Sequence, residues 1–145
     1  MLNRQRKQVQ GFTMMELLVV LVIVGLLAAL VGPQLYKRIS PAKQSIAKTQ
    51  IENFVSALDA YFIDTGEFPS EEAGLDALRN RPSGVKNWQG PYLKKETPKD
   101  PWGNPYAYQY PGNNGPYDII SYGKDGAPGG ESENQDIVSW DNISE

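Results

Sequence analysis

A long apolar run from Phe12 to Leu35, relieved only by Thr13, Glu16, Gln34 and a few small residues, constrains this chain more than any other feature. As a helix rising about 1.5 Å per residue it reaches about 36 Å, enough to cross roughly 30 Å of hydrocarbon. Arg4, Arg6 and Lys7 precede it, and Lys37 and Arg38 follow. The cationic bias favours an N-terminus in the cytoplasm and a translocated C-terminal bulk. A cleaved secretory signal has an apolar core of about 7–15 residues and a small-residue cut site after it. This run is longer, and no polar break follows Ala28-Ala29.

Glu16 stands at the head of the run. An ionised side chain inside hydrocarbon costs at least about 2.5 kcal/mol, so such an acid needs a reason. One reading leaves it hydrated at the membrane interface, where the start of a helix favours an anion. The other gives it a cation. A cut between Gly11 and Phe12 creates an amine four residues away, and in a staggered assembly that amine could neutralise the Glu16 of a neighbour at low dielectric. The chain then divides into a leader 1–11, a membrane and polymerisation helix 12–35 and a globular region 36–145.

Composition narrows the chemistry. There is no Cys, so no disulfide staples the fold, and no His, which removes the commonest general base and metal ligand. No carboxylate pair sits with a nucleophile, and the chain is read as a non-enzyme. Net charge is −3, without a basic patch interleaved with aromatics, so nucleic acid is not an expected partner.

Beyond the membrane run, Ala47, Ile51, Phe54, Val55, Leu58, Tyr61 and Phe62 recur at spacings of three and four, which predicts one buried face of a helix extending to about Asp64. Gly66 and Pro69 end it. Pro33 and Pro41 lie inside and predict a bend or a loosening. Ser70 with Glu71 and Glu72 predicts a second, short helix start, and Trp88 a plug within a loop. Strands are expected over Tyr106–Tyr110, Tyr117–Ser121 and about Ile137–Trp140. The fold class is α+β, a long helix packed on a small antiparallel sheet.

Asp125 to Asp136 is acidic and glycine-rich. Calcium takes six to eight oxygens, and this loop offers carboxylates, amides, hydroxyls and carbonyls. It is not an EF-hand, because Ala127 and Gly129 fall at positions three and five, where side-chain oxygens are needed. By composition alone, a solvated acidic loop and a cation site both remain open.

Gly11-Phe12-Thr13-x-x-Glu16 with its apolar helix resembles the class III leader of type IV pilins and type II secretion pseudopilins. The stretches Tyr92-Leu93-Lys94-Lys95, Asp100-Pro101-Trp102-Gly103-Asn104-Pro105-Tyr106 and Asp118 to Gly126, with Gly129-Gly130, are similar to the G-type major pseudopilins. The resemblance implies that a prepilin peptidase cuts after Gly11 and methylates Phe12, and that Glu16 is an assembly contact. It implies a pilin-like fold whose C-terminal loop holds Ca2+, with Asp125 and the carbonyls of Tyr122 and Ala127 as ligands. Ser132, Asn134 and Asp136 are candidates for the rest, in no fixed order. It further implies a homopolymeric periplasmic pseudopilus that drives folded proteins through the outer membrane. Its partners would be minor pseudopilins, the inner-membrane assembly platform and, before assembly, membrane lipid. A type IV pilin and a membrane-tethered binding domain are the alternatives. The absence of Cys counts against the first, and Glu16, of no use to a tether, against the second.

Overall fold

The computed structural model describes residues 11–141, with side chains of all but 35–38. The leader cations and the terminal Asn142-Ile143-Ser144 lie outside the described residues. Two compact units share the chain, the first ending at Arg38 and the second beginning at Ile39.

One helix, α1, runs Met14–Thr65 and contributes to both units. The expected bend at Pro33 and Pro41 does not interrupt it. A proline deletes one helical hydrogen bond, and both lie where the surface is exposed and the neighbouring turns stay intact. In the first unit the apolar side chains from Met14 to Val31 are all exposed. That stretch qualifies by length and composition as a membrane span.

In the second unit α1 (Met14–Thr65) supplies one wall of the core. Ala47, Ile51, Phe54, Ala57, Leu58 and Tyr61 are buried at helical spacing. Facing them are Leu75, Ala77, Leu78, Tyr106 and Ile119. Phe54 meets the ring of Tyr106 edge-on at 5.1 Å. Two expected members of the stripe sit at its margin. Val55 is half-buried, and Phe62, 43% exposed, stacks on Phe68 at 4.7 Å.

Ser70 caps a turn rather than an α-helix. Its Oγ accepts the Ala73 N–H at 3.2 Å, and the chain enters a 3-10 helix at Gly74–Leu78 through Gly74 at φ +58. A side chain is strained at that angle, and the left-handed step prevents the turn from propagating as α. Trp88 does plug its loop, with the indole N–H on the Ala77 carbonyl at 3.0 Å. Three antiparallel strands follow in order: β1 Ala107–Gln109, β2 Asp118–Ser121 and β3 Ile137–Val138. Register pairs Ala107 with Ile120 and Ile120 with Val138. Each strand lies inside its expected span and is shorter.

Tyrosines in and beside the sheet stay neutral. Burial pushes the hydroxyls of Tyr106, Tyr108 and Tyr117 up, that of Tyr117 to about 12. Tyr106 donates to Gln50 Oε1, and Tyr108 to the Pro69 carbonyl at 2.9 Å.

Two buried carboxylates organise the turns. Asp118, 2% exposed, accepts Asn113 N–H at 2.8 Å and the Asn114 side chain at 3.0 Å, which sets the 111–115 turn. Asp100, 4% exposed, accepts Trp102 N–H at 3.0 Å and Asn104 N–H at 2.8 Å on Oδ1, and Ser121 Oγ at 2.7 Å on Oδ2. The Asp-Pro-Trp-Gly-Asn-Pro cluster is thus a knot tied to β2. Removing one end of such bonds strands the buried donors at about 1–3 kcal/mol each. Asp100→Ala is expected to lower unfolding free energy by about 2–4 kcal/mol in urea denaturation, with Asp100→Asn losing less. A loss below about 0.5 kcal/mol would show that the knot is not structural.

Candidate functional site

The first site is the start of α1 (Met14–Thr65). Gly11, Phe12 and Thr13 precede its first turn, and Phe12 is 85% exposed. Thr13 and Glu16 bond reciprocally. Glu16 N–H donates to Thr13 Oγ1 at 3.2 Å, and Glu16 Oε2 accepts Thr13 N–H at 2.9 Å and the Thr13 hydroxyl at 3.1 Å. This is a capping box, in which helix-end donors are satisfied by the side chains of the first turn. Sequence reasoning passed over Thr13, although Thr-x-x-Glu before an apolar run is the signature of that box. Both bonds converge on Oε2, so Oε1 keeps its lone pairs for a further donor. A box of this kind also brings the carboxylate beside the main chain of residue 13, one position from the Phe12 amine that a cut after Gly11 would expose.

The second site is the loop between β2 (Asp118–Ser121) and β3 (Ile137–Val138). Its neck closes through Lys124 N–H to the Glu133 carbonyl at 2.8 Å and a Lys124–Glu133 ion pair at 2.9 Å. The Asn104 amide, from the Asp100 knot, holds the Gly123 carbonyl at 2.8 Å. Chain segments come very close here. A Cβ on Gly123 would lie 2.7 Å from the Glu133 carbonyl, and one on Gly130 2.5 Å from that of Asn134. Both positions also have positive φ, so glycine is required twice over.

Within the loop, Asp125 Oδ1 accepts Ala127 N–H at 3.2 Å and Asp136 Oδ2 accepts Gly129 N–H at 2.8 Å. The turn 125–129 therefore sits between two aspartates that are far apart in sequence. Asp136 Oδ1 is buried, with no hydrogen-bond partner among the described residues. A carboxylate oxygen cut off from water and from donors is costly, and a cation is the partner that suits it. The other candidates are less converged. Ser132 and Asn134 are exposed in the 3-10 turn Ser132–Asn134, Ser132 at φ +55 with its carbonyl taken by Gln44 Nε2. Tyr122 and Ala127 lie on either side of Asp125, in reach of the loop by their main chain. Among the described residues no three acid, His or Cys side chains cluster as a metal cage. An ion here would have to lean on two aspartates with main-chain and neutral oxygens, a mixed set that calcium accepts.

Comparisons with known proteins bear on the chain as a whole. Residues 34–140 match the family model described as type II secretion system protein G, and residues 6–32 that of the prokaryotic N-terminal methylation motif. The type II secretion system core protein G of Pseudomonas aeruginosa is 48% identical, over 95% of this chain and 99% of that one. Its counterpart in Vibrio cholerae is 42% identical over 96% of each. The crystal structure of the major pseudopilin from the type 2 secretion system of enterohaemorrhagic Escherichia coli superposes with a TM-score of 0.63 at 32% identity, covering 74% of this chain and 95% of that one. With the family model matched over most of the chain and relatives alike along nearly their whole length, this chain belongs to the type II secretion system protein G family, the major pseudopilins.

Proposed function

We propose that this major pseudopilin is made as a precursor, cut after Gly11 and methylated on Phe12 by a prepilin peptidase, and then polymerised into a periplasmic fibre. Before assembly it is a single-pass inner-membrane protein with a cytoplasmic N-terminus. The fibre, with minor pseudopilins and an inner-membrane assembly platform, pushes folded proteins through the outer membrane. The chain serves as a structural subunit and not as a catalyst. The observation that carries this is the pairing of a fully exposed apolar helix head with Glu16, an acid held at its first turn with one oxygen still open. A tether needs the helix alone. A polymer needs the acid as well, to receive the Phe12 amine of a neighbouring copy where the dielectric is low.

Calcium belongs to the same proposal. The Asp125 and Asp136 carboxylates would hold it, with the carbonyls of Tyr122 and Ala127, and Ser132 and Asn134 would supply any remaining oxygens. The ion would supply the positive charge that Asp136 Oδ1 lacks and would pin a glycine-rich loop against about 1–2 kcal/mol of backbone entropy per residue.

Mass spectrometry of the mature protein is expected to find an N-terminus at Phe12 carrying one extra methyl; an N-terminus elsewhere would sink the processing route. Glu16→Ala is expected to abolish fibres in a plate-grown overproduction assay while leaving membrane insertion intact. Normal fibres from that variant would return the chain to the tether reading. Free calcium a hundredfold above its dissociation constant stabilises a fold by about 2.7 kcal/mol. Chelation is therefore expected to lower the melting midpoint by roughly 10 °C for a domain of this size, and an unchanged midpoint would exclude the ion.

A further inference from the structure

The C-terminal segment does not lie flush on α1 (Met14–Thr65). Between helix residues 41–52 and segment residues 135–141 lies a cleft of about 470 Å³, whose lining includes Lys48, Glu52, Asp136 and Asp141. Two side chains of α1 cross to the segment. Lys48 Nζ donates to the Val138 carbonyl at 3.1 Å and to the Asp141 carbonyl, and Gln44 Nε2 donates to the Ser132 carbonyl at 2.5 Å. Residues 44 and 48 are one helical turn apart and share a face. Their targets, 132 and 138, bracket the stretch that contains Asp136. The sheet's own hold on this end is short: two residues of β3 (Ile137–Val138) paired with β2 (Asp118–Ser121), and Ser139, whose N–H donates to the Ile119 carbonyl and whose Oγ accepts the Ile119 N–H, each at 3.0 Å.

We propose that Lys48, assisted by Gln44, is a positioning residue for the calcium loop: it clamps the main chain beyond Asp136 to the helix, so that the buried Asp136 oxygen is already in place when the ion arrives. The inference rests on the calcium reading given above and assigns to it residues outside the loop. Lys48 is half-buried, and its ammonium is spent on carbonyls instead of a carboxylate. An ammonium has three donors and a long stem, which suits it to gathering carbonyls from a strand end. Glu52, Asp136 and Asp141 face the same cleft and offset its charge.

Two physical effects of Lys48 on calcium oppose each other. As a cation it repels the ion, which would make Lys48→Met bind calcium more tightly. As a clamp it pre-organises Asp136, which would make Lys48→Met bind it more weakly. Repulsion across an open, hydrated cleft is attenuated over a Debye length of about 8–10 Å. Loss of a group that orients a metal ligand typically costs 10–100-fold in affinity. Positioning therefore prevails.

The test is a calorimetric calcium titration of the full-length protein in detergent micelles, with hydrogen exchange read peptide by peptide. Wild type is expected to bind calcium, and chelation to loosen 124–136 while 137–141 stays protected by Lys48. Lys48→Met is expected to weaken calcium about tenfold or more and to expose 137–141 even in the presence of the ion. Lys48→Arg, which keeps the donors, is expected to restore both, and Gln44→Leu to weaken calcium less and loosen 132–136 alone. Unchanged or tighter binding by Lys48→Met, with wild type binding normally, overturns the proposal and leaves the calcium reading standing. Absence of binding by wild type overturns both. Should Lys48→Met lose helical signal at room temperature, Gln44→Leu decides: unchanged affinity there overturns the bracket.

Discussion

The core of the second unit packs on one helical stripe. Ala47, Ile51, Phe54, Leu58 and Tyr61 repeat at three and four, and the 3-10 helix, the sheet and the aromatic loop residues bury themselves on that line. A sheet of nine strand residues could not stand by itself in water, since small sheets need a packing partner on one face. Such a helix is likewise held by its apolar face more than by propensity. Each half is the condition for the other.

Where the core is thin, buried polar groups take over the task of specifying turns. Asp100 and Asp118 each convert a run of Gly, Pro and Asn into a defined shape by accepting main-chain N–H groups. Neither forms an ion pair among the described residues; each is satisfied by hydrogen bonds, which is the arrangement that makes a buried carboxylate tolerable. The loop 123–136 continues the pattern with one difference, since Asp136 keeps an oxygen that no donor reaches among the described residues.

Much of this could be read beforehand, and the misses have physical causes. The stripe on α1 (Met14–Thr65) and the three strand positions are periodic signals, and periodicity survives in sequence. Val55 and Phe62 fell to the margin because spacing alone does not mark where a face ends. The turn at Ser70 became 3-10 because Gly74 takes a left-handed angle, a local choice that composition does not reveal. The Thr13–Glu16 box was legible as a motif and was eclipsed by the cost of the acid. Lys48 and Gln44 were not legible at all: nothing near them in sequence points to carbonyls some ninety positions away.

That separation has a consequence for the order of events. Lys48 and Val138 stand 90 positions apart, so no length of chain that stops short of residue 138 can make the contact between them. A chain complete only as far as β2 (Asp118–Ser121) can form its helix and bury Leu58, Leu75 and Leu78, yet it has no tail to latch. The far end of the chain thereby closes onto its helix, and a subunit without that end lacks the latch that the finished one has.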